Sequence, residues 1–540
     1  MKTIEGQCGC EGIAIGPVFV VEEKKVEFNK RTPESPRDEI QKFWNTKEKA
    51  KEQVEELILR SNAEGSTVGT AIFEAYMAYL DDAGFKNEVE NRIINDNMTA
   101  EEAVETVGRK YIELVENVDN NPRLQARAVD IEELLDRLLF CLKGEEFTLE
   151  KPKEPSIIVA RNLTPSRFFS IERDKILGFV LEEGAYYSHF AILARTFDIP
   201  LIFNVGNVTS TIENGTKCAL NANGDKFFIE PTEDKIKEIN EAIEEGRRTK
   251  KRLEEFKGRD TLTHGGERII LYANVSSLEE IDIALKNDAE GIGLFRTEYM
   301  YIAADSLPTE EEQFRIYKEA VMRVDGKLIV FRTADIGGDK QPDYLDNLVS
   351  VNPSMGNRGI RFSMTHKHVF KEQLRALYRA AYYGIGNVNV MYPMITSLEE
   401  LDWIEAVNRE VQEELKYESV KYTVPEQGIV LETPASALIC DMFAKRVDFI
   451  SVGSNDLSQF VFAVDRLGQN LDMEDYRSEA MRRIIHTIVD CGEKEGIPVG
   501  LCGDIRSDKE TLRFLLDAGI KGLSVQPRQI LLFRKYIREL

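Results

Sequence analysis

Positively charged side chains stand at the ends of short apolar runs in the second half of this 540-residue chain. Arg296 ends the run "GIGLFR", Arg332 ends "LIVFR", and the long segment that follows carries Lys340 and Arg358. Arginine presents a rigid fork of donors that matches phosphate or carboxylate in a bidentate manner. If these runs are neighbouring strands, their cations meet at one edge and predict an anionic ligand.

A second group of side chains, suited to a hard cation and to proton transfer, follows the later runs. Glu432 follows "GIVL", Asn455 and Asp456 follow "ISVGS", and Cys502 follows "PVGL". Mg²⁺ prefers carboxylate oxygens, and phosphoryl transfer needs cations because charge spreads over the phosphate oxygens in its transition state. Arg466, in "AVDR", adds a further cation. Singly, each residue has a structural alternative, such as an ion pair in "RTE" or core packing of the cysteine. Their joint placement favours a site.

The apolar runs alternate with helical patterns from about residue 262 to the end of the chain. Eight strands alternating with helices over this length predict a (β/α)₈ barrel, whose active site lies at the carboxyl ends of its strands. A doubly wound open sheet is the structural alternative. The eight runs are "RIILYANV", "GIGLFRTE", "LIVFRTAD", "VNVMYPM", "GIVLETP", "VDFISVGSND", "PVGLCGD" and "GLSVQP".

The barrel offers no obvious acceptor for a phosphoryl group, since none of its histidines stands at a strand end. His264, His366, His368 and His486 lie in a linker, around helix starts or within a helix, and the fifth histidine, His189, lies elsewhere. It follows a glycine-containing turn and opens "FAILAR", an apparent helix. A neutral imidazole there can attack phosphorus, and the amides of the helix start favour the attached phosphate.

The first half of the chain predicts an α/β domain interrupted by helices. Residues 1–23 and 146–230 hold strand-length apolar runs and are expected to form one domain, while residues 24–145 show helical periodicity and form an inserted helical domain. Residues 231–261, rich in charge and helix formers, predict a linker helix, and the pattern fits the last helix of the preceding domain equally well. Residues 262–540 are expected to form the barrel.

Composition limits the function classes. The net charge of −24 argues against nucleic acid as the main partner. No apolar run reaches the roughly 18 residues of a membrane span, and no export signal is expected at the start. The seven cysteines are odd in number and scattered, which suits a reducing cytosol better than a disulfide framework, so a cytoplasmic protein is expected.

Together these motifs resemble Enzyme I of the sugar phosphotransferase system, the phosphoenolpyruvate-protein phosphotransferase. The resemblance covers nearly the whole chain, and the motifs fall in the order of the family. They are "GIAIGP", "AIFEAYMAYLDD", "LTPS", "SHFAILAR", "GIGLFRTEYMY", "LPTEEEQF", "FRTADIGGDK", "NPSMGNRGIR", "LETPASA", "VDFISVGSNDLSQF", "AVDR" and "LCGD".

The resemblance implies an activity. Mg²⁺ held by Glu432 and Asp456 binds phosphoenolpyruvate, His189 takes the phosphoryl group on a swivelling domain, and Cys502 protonates the enol carbon to give pyruvate. The phosphohistidine then passes the group to a histidine-containing phosphocarrier protein that docks on the helical domain. Dimerisation through the barrel is also implied. The substrate is held by Arg296, Arg332, Lys340, Arg358, Asn455, Asp456 and Arg466.

The sequence departs from the family beside the acceptor. The family's Gly-Gly-x-Thr-Ser-His reads Gly-Ala-Tyr-Tyr-Ser-His here, with Ala185 at the second glycine and Tyr187 at the threonine, and Asp504 replaces a glutamate. These changes leave a second hypothesis open, a regulatory protein that senses phosphoenolpyruvate; Tyr187 favours it and the retained Cys502 opposes it. A relative of pyruvate-phosphate dikinase or phosphoenolpyruvate synthase would need an ATP-binding domain, for which no glycine-rich phosphate loop is found.

Overall fold

The computed structural model describes the chain except for residues 22–32, 34, 65, 117–121, 145–150, 185–187, 305, 338–339, 341, 343, 346–351, 465–477 and 504. It divides into two compact units, Met1–Thr249 and Lys250–Leu540. Each unit has its own hydrophobic core.

The first unit contains an eight-stranded mixed sheet in the order β1-β8-β7-β3-β4-β5-β6-β2. Its central strands are buried apolar runs, as expected for strands covered on both faces. Strands from both ends of this unit pair with one another, because β3 is antiparallel to β7 and parallel to β4. The strands are β1 (Lys2–Glu5), β2 (Gln7–Cys10), β3 (Ile13–Val20), β4 (Ser156–Ala160), β5 (Ile176–Leu181), β6 (Leu201–Phe203), β7 (Lys217–Asn221) and β8 (Lys226–Ile229).

Between β3 and β4 the chain forms helices whose apolar sides share one core with one face of the sheet. The helix N-termini carry local caps; for example, the Ser35 hydroxyl accepts from the amide of Asp38 at the start of the first helix. The domain bounds given above remain a prediction. The helices of this unit are α1 (Pro36–Ala63), α2 (Thr67–Asp81), α3 (Ala83–Asn95), α4 (Ala100–Glu116), α5 (Pro122–Lys143), α6 (Pro165–Ser170), α7 (His189–Thr196) and α8 (Glu233–Glu254).

The second unit is a closed barrel of eight parallel strands, each formed by one of the eight apolar runs. The last strand pairs with the first, from Gly522 with Ile270 to Val525 with Ala273, which confirms the barrel and excludes the open sheet. The strands are β9 (Ile270–Val275), β10 (Gly291–Arg296), β11 (Leu328–Arg332), β12 (Val388–Tyr392), β13 (Glu426–Leu431), β14 (Phe449–Val452), β15 (Val499–Leu501) and β16 (Gly522–Val525).

Helices pack their apolar sides on the outside of these strands and complete the barrel's core. Capping boxes at Thr309 and Ser397 fix where two of them begin, with Glu312 and Glu400 as the reciprocal partners. Among the described residues, no helix combines the length and hydropathy needed to cross a membrane. The helices are α9 (Leu278–Lys286), α10 (Glu298–Ala303), α11 (Glu310–Arg323), α12 (Ile360–Thr365), α13 (Lys367–Ala381), α14 (Leu398–Tyr417), α15 (Pro434–Leu438), α16 (Cys440–Ala444), α17 (Ser454–Phe462), α18 (Glu479–Glu495), α19 (Lys509–Asp517) and α20 (Ile530–Arg538).

Candidate active site

Strand register brings the residues at the carboxyl ends of the barrel strands to one rim. Arg296 and Arg332 are direct register partners at the ends of β10 and β11. Leu431 pairs with Val452, which pairs in turn with Leu501, so the residues that follow β13 and β15 emerge at the same level. Those residues are Glu432 and Cys502.

Two carboxylates that neutralise the rim's cations, those of Glu298 and Asp335, have fully buried side chains. Arg332 donates to Glu298 and lies 3.3 Å from an oxygen of Asp335. The Lys340 ammonium is 3.1 Å from Glu298 and 2.8 Å from Asp335. Glu298 begins α10, which follows β10, whereas Asp335 follows β11. The ion-pair network therefore joins two neighbouring strands of the barrel.

Arg358 joins this network to a predicted metal ligand. Its guanidinium is completely buried and donates to both oxygens of Asp335, each at 2.9 Å. It also donates to both oxygens of Asp456, at 2.8 and 3.1 Å. Gly337, with φ +112°, lets this loop close on itself, since a Cβ there would lie 2.4 Å from the carbonyl oxygen of Asn357. Arg358 therefore fixes the orientation of the Asp456 carboxylate.

The cations decide how the two buried acids titrate. Burial opposes ionisation of Asp335, but Arg358, Lys340 and Arg332 outweigh it and hold its pKa well below the usual range. Burial likewise opposes ionisation of Glu298, yet Arg332 and Lys340 lower its pKa. Both side chains are therefore carboxylates around neutral pH, and the rim is charged but internally compensated.

The pKa of Glu432 shifts in the opposite direction. Burial, together with the charges of Asp456 and Asp335, raises its pKa to about 8. One of its oxygens accepts from the amide of Met394 at 2.6 Å. The other lies against Gly453, where a Cβ would come within 2.7 Å of it. The glycine thus leaves room for the Glu432 carboxylate.

This donor set fits a divalent cation. Glu432 and Asp456 could offer carboxylate oxygens to such an ion at the rim, and Mg²⁺ in enzymes is often bound by only one or two carboxylates, with water and substrate phosphate completing the shell. A cation between them would also remove the repulsion that raises the pKa of Glu432. Among the described residues, no group of three or more His, Cys, Asp or Glu side chains converges in a way that could hold a metal ion.

The remaining predicted rim residues are placed as follows. Cys502 is buried next to Ser451, and burial raises the pKa of its thiol despite the Ser451 hydrogen bond and the charge of Arg332. Asn455 lies in the first turn of α17, beside Asp456, and is half-buried. Arg466 lies outside the described residues.

His189 stands in the first unit, as the first residue of α7. The Ser188 hydroxyl caps that helix by accepting from the amide of Ala191 at 3.2 Å. The imidazole is 42% exposed, and its Nδ1 lies 3.0 Å from an oxygen of Asp130 on α5. Ala185 and Tyr187, which depart from the family, lie outside the described residues.

Sequence reasoning missed Asp335, Asp130 and Tyr76, which organise these sites. It considered Glu298 only as an ion-pair partner within "RTE", whereas the structure pairs Glu298 with Arg332 and Lys340. A signal existed for Glu298 and Asp335, because "FRTE" and "FRTAD" place an acid just beyond the arginines of two adjacent strands. Asp130 and Tyr76 gave none, since they precede the histidine by 59 and 113 residues in helices whose pattern reports only packing.

Three family models of the PEP-utilising enzymes match successive segments of the chain. Residues 5–127 match the PEP-utilising enzyme N-terminal family, residues 152–224 the mobile domain of the PEP-utilising enzymes, and residues 250–540 their PEP-binding domain. The structure of Enzyme I (nEIt) solved by NMR covers 45% of this chain and 99% of its own, with 28% identity and a TM-score of 0.39.

Similarity to curated proteins extends over the full chain. The phosphoenolpyruvate-protein phosphotransferase of Priestia megaterium is 33% identical over 544 residues, covering 100% of this chain and 94% of that protein. The protein of the same name from Staphylococcus aureus (strain MRSA252) is 34% identical over 547 residues, with the same coverage. The chain therefore belongs to the PEP-utilising enzymes, in the family of the phosphoenolpyruvate-protein phosphotransferases.

Proposed function

We propose that the protein transfers the phosphoryl group of phosphoenolpyruvate, through a phosphohistidine at His189, to a histidine-containing phosphocarrier protein and releases pyruvate. This reaction would be the first step of sugar uptake by the phosphotransferase system. The observation that carries the proposal is the barrel rim, where arginine and lysine side chains converge beside the carboxylates of Glu432 and Asp456. Such a rim suits a small, multiply charged anion bound with a divalent cation.

In this proposal the rim cations hold the phosphate and carboxylate of the substrate. Arg296 and Arg332 lie side by side, which suits bidentate contacts with phosphate oxygens. Arg358 already makes four hydrogen bonds to carboxylates, so its first task is to hold Asp456 in place. The substrate-binding set is Arg296, Arg332, Lys340, Arg358, Asn455, Asp456 and Arg466.

Glu432 and Asp456 would hold Mg²⁺. The ion would neutralise charge on the substrate's oxygens and draw electron density from the bond to be broken. The protein's own part is to keep both carboxylates at the rim, one through Arg358 and the other through the amide of Met394.

Cys502 would supply the proton that turns the enolate into pyruvate. Burial raises its thiol pKa, so the sulfur carries its proton around neutral pH. The Cys502 side chain is also buried at the rim, which places this proton donor away from bulk water.

Further expectations come from the family relationship. The helices between β3 and β4 would receive the phosphocarrier, the barrel would form a homodimer, and the protein would work in the cytoplasm. The runner-up function, sensing of phosphoenolpyruvate without transfer, rests on the altered residues Ala185 and Tyr187.

The test is to incubate the purified full-length protein with ³²P-phosphoenolpyruvate and Mg²⁺, beside His189→Ala. We expect acid-labile, base-stable label on the wild type, none on the variant, and one pyruvate released per label. Binding of phosphoenolpyruvate without label on the wild type would reject transfer and favour the sensor. Label on both proteins would reject His189 as the acceptor.

A further inference from the structure

The Asp130 carboxylate joins His189 to a buried tyrosine. One of its oxygens lies 3.0 Å from Nδ1 of His189, and the other accepts from the hydroxyl of Tyr76 at 2.8 Å. The Asp130 side chain is only 10% exposed, and Tyr76 on α2 is fully buried. The three residues come from α2, α5 and α7, so the arrangement depends on the fold rather than on local sequence.

Both hydrogen bonds in the Tyr76–Asp130–His189 arrangement are donated to the carboxylate. A carboxylate only accepts, so Nδ1 must carry the proton that lies between it and Asp130. Burial, with the charges of Glu133 and Asp130, raises the pKa of Tyr76, so the phenol keeps its proton and donates. The lone pair of the neutral imidazole is then on Nε2, the nitrogen that does not face Asp130.

We propose that Asp130, held by Tyr76, is the positioning residue that fixes His189 in its Nδ1–H tautomer and directs phosphoryl transfer to Nε2. This inference rests on the transfer proposed above. It also explains how the ring is oriented in a chain that lacks the family's threonine at position 187.

The step balances as follows. The Nε2 lone pair forms the N–P bond, the O–P bond of phosphoenolpyruvate breaks, and its electron pair leaves with the enolate oxygen. The ring becomes a phosphorylated imidazolium that still holds its Nδ1 proton, and the adjacent Asp130 carboxylate stabilises that positive charge. When the group leaves for the next acceptor, the neutral Nδ1–H ring returns.

The first test needs no substrate. The full chain has only five histidines, so ¹⁵N-histidine NMR with His189→Ala as the assignment control resolves the ring's tautomer. We expect a protonated Nδ1 and an unprotonated Nε2 in the wild type. In Asp130→Asn, the Tyr76 hydroxyl should still donate to the side-chain oxygen, which leaves the amide nitrogen facing Nδ1. Because that nitrogen only donates, Nδ1 must accept and the ring should shift to the Nε2–H tautomer. An unchanged Nδ1–H tautomer in this variant would overturn the proposal.

The second test is the rate of ³²P labelling in single turnover. We expect Asp130→Asn to be slower by about 10²-fold or more, by analogy with other histidines held by a carboxylate. Tyr76→Phe should be slower by a few-fold, because Asp130 keeps its charge but loses one fixed bond. Asp174→Asn, the same change of charge at an exposed residue of this unit, should match the wild type.

The outcomes separate the two proposals. A wild type that takes no label, but whose tautomer depends on Asp130, rejects the transfer and retains the positioning role. Labelling at the wild-type rate in well-folded Asp130→Asn rejects the positioning role and retains the transfer. If Asp130→Asn fails to fold, Tyr76→Phe decides: wild-type tautomer and rate would overturn the proposal, and a mixed tautomer with slower labelling would support it.

Discussion

The barrel rim and the surface around His189 treat charge in opposite ways. At the rim, the fully buried carboxylates of Glu298 and Asp335 hold several cations at once. Around His189, a ring that is 42% exposed is hydrogen-bonded to the carboxylate of Asp130. A site for a multiply charged anion gains from being assembled before binding and kept dry, because charges act more strongly at low dielectric. A side chain that receives and passes on a group must instead remain accessible.

The largest expected effect is that of removing the shared anion of the rim. Asp335→Ala leaves Arg358, Lys340 and Arg332 without a common partner, and breaking a buried pair in this way costs about 3–5 kcal/mol of stability. We also expect phosphoenolpyruvate binding to weaken, because the cations lose their fixed positions. Denaturant unfolding, followed by fluorescence, measures the change.

The two tryptophans make this measurement specific, because Trp44 lies in the first unit and Trp403 in the barrel. A Trp44→Phe background therefore reports the barrel alone. Asp402→Ala, which removes an exposed partner of Arg446, is the matched control and should change the stability far less. Equal effects of the two alanine variants would contradict a special role for the buried network.

The next effect concerns Glu432, whose pKa is about 8 in the folded chain against 4.5 ordinarily. Between those values the folded state holds a proton that the unfolded state has lost, so stability must fall as pH rises from about 4.5 to about 8. Glu432→Gln should abolish this fall. Mg²⁺ should oppose it in the wild type and have no effect in the variant. A Mg²⁺ response that survives in Glu432→Gln would reject this residue as a ligand.

A smaller effect is expected for a buried acid in the helices of the first unit. Burial and the charge of Glu132 raise the pKa of Asp136 to about 6, although Arg109 and Arg167 oppose them. Asp136→Asn should therefore raise stability by about 1–3 kcal/mol above pH 6, with the gain vanishing towards pH 4. Trp44 fluorescence in a Trp403→Phe background reports it. Mg²⁺ should not alter this gain in stability. A gain that depends on Mg²⁺ would contradict the expectation that the ion acts only at the barrel rim.

The two regions also differ in how far the sequence predicts them. In the barrel, the apolar runs predicted the strands, and the strand ends predicted that Arg296, Arg332 and Glu432 lie at the rim. The sequence did not reveal that Arg358, which was expected to bind the substrate, donates four hydrogen bonds to Asp335 and Asp456. Long loops carry no period that fixes where a side chain points.

Around His189 the sequence predicted only the local part. The predicted helix start at His189 is confirmed, and its N-cap, Ser188, is encoded directly before it. The partners Asp130 and Tyr76 depend on how distant helices pack, and helical periodicity identifies a buried face without naming what that face meets.

The smallest expected effect is that of removing the N-cap of α7, and it tests whether this cap matters to function. Ser188→Ala removes the cap of α7 and should cost about 1 kcal/mol, and Ser35→Ala, which removes the same 3.2 Å contact at α1, should cost about as much. Only Ser188→Ala should slow the ³²P labelling of His189, by a few-fold, because fraying there releases the ring from Asp130. Equal labelling rates in the two variants would mean that Asp130 alone, without the cap, is enough to orient the histidine.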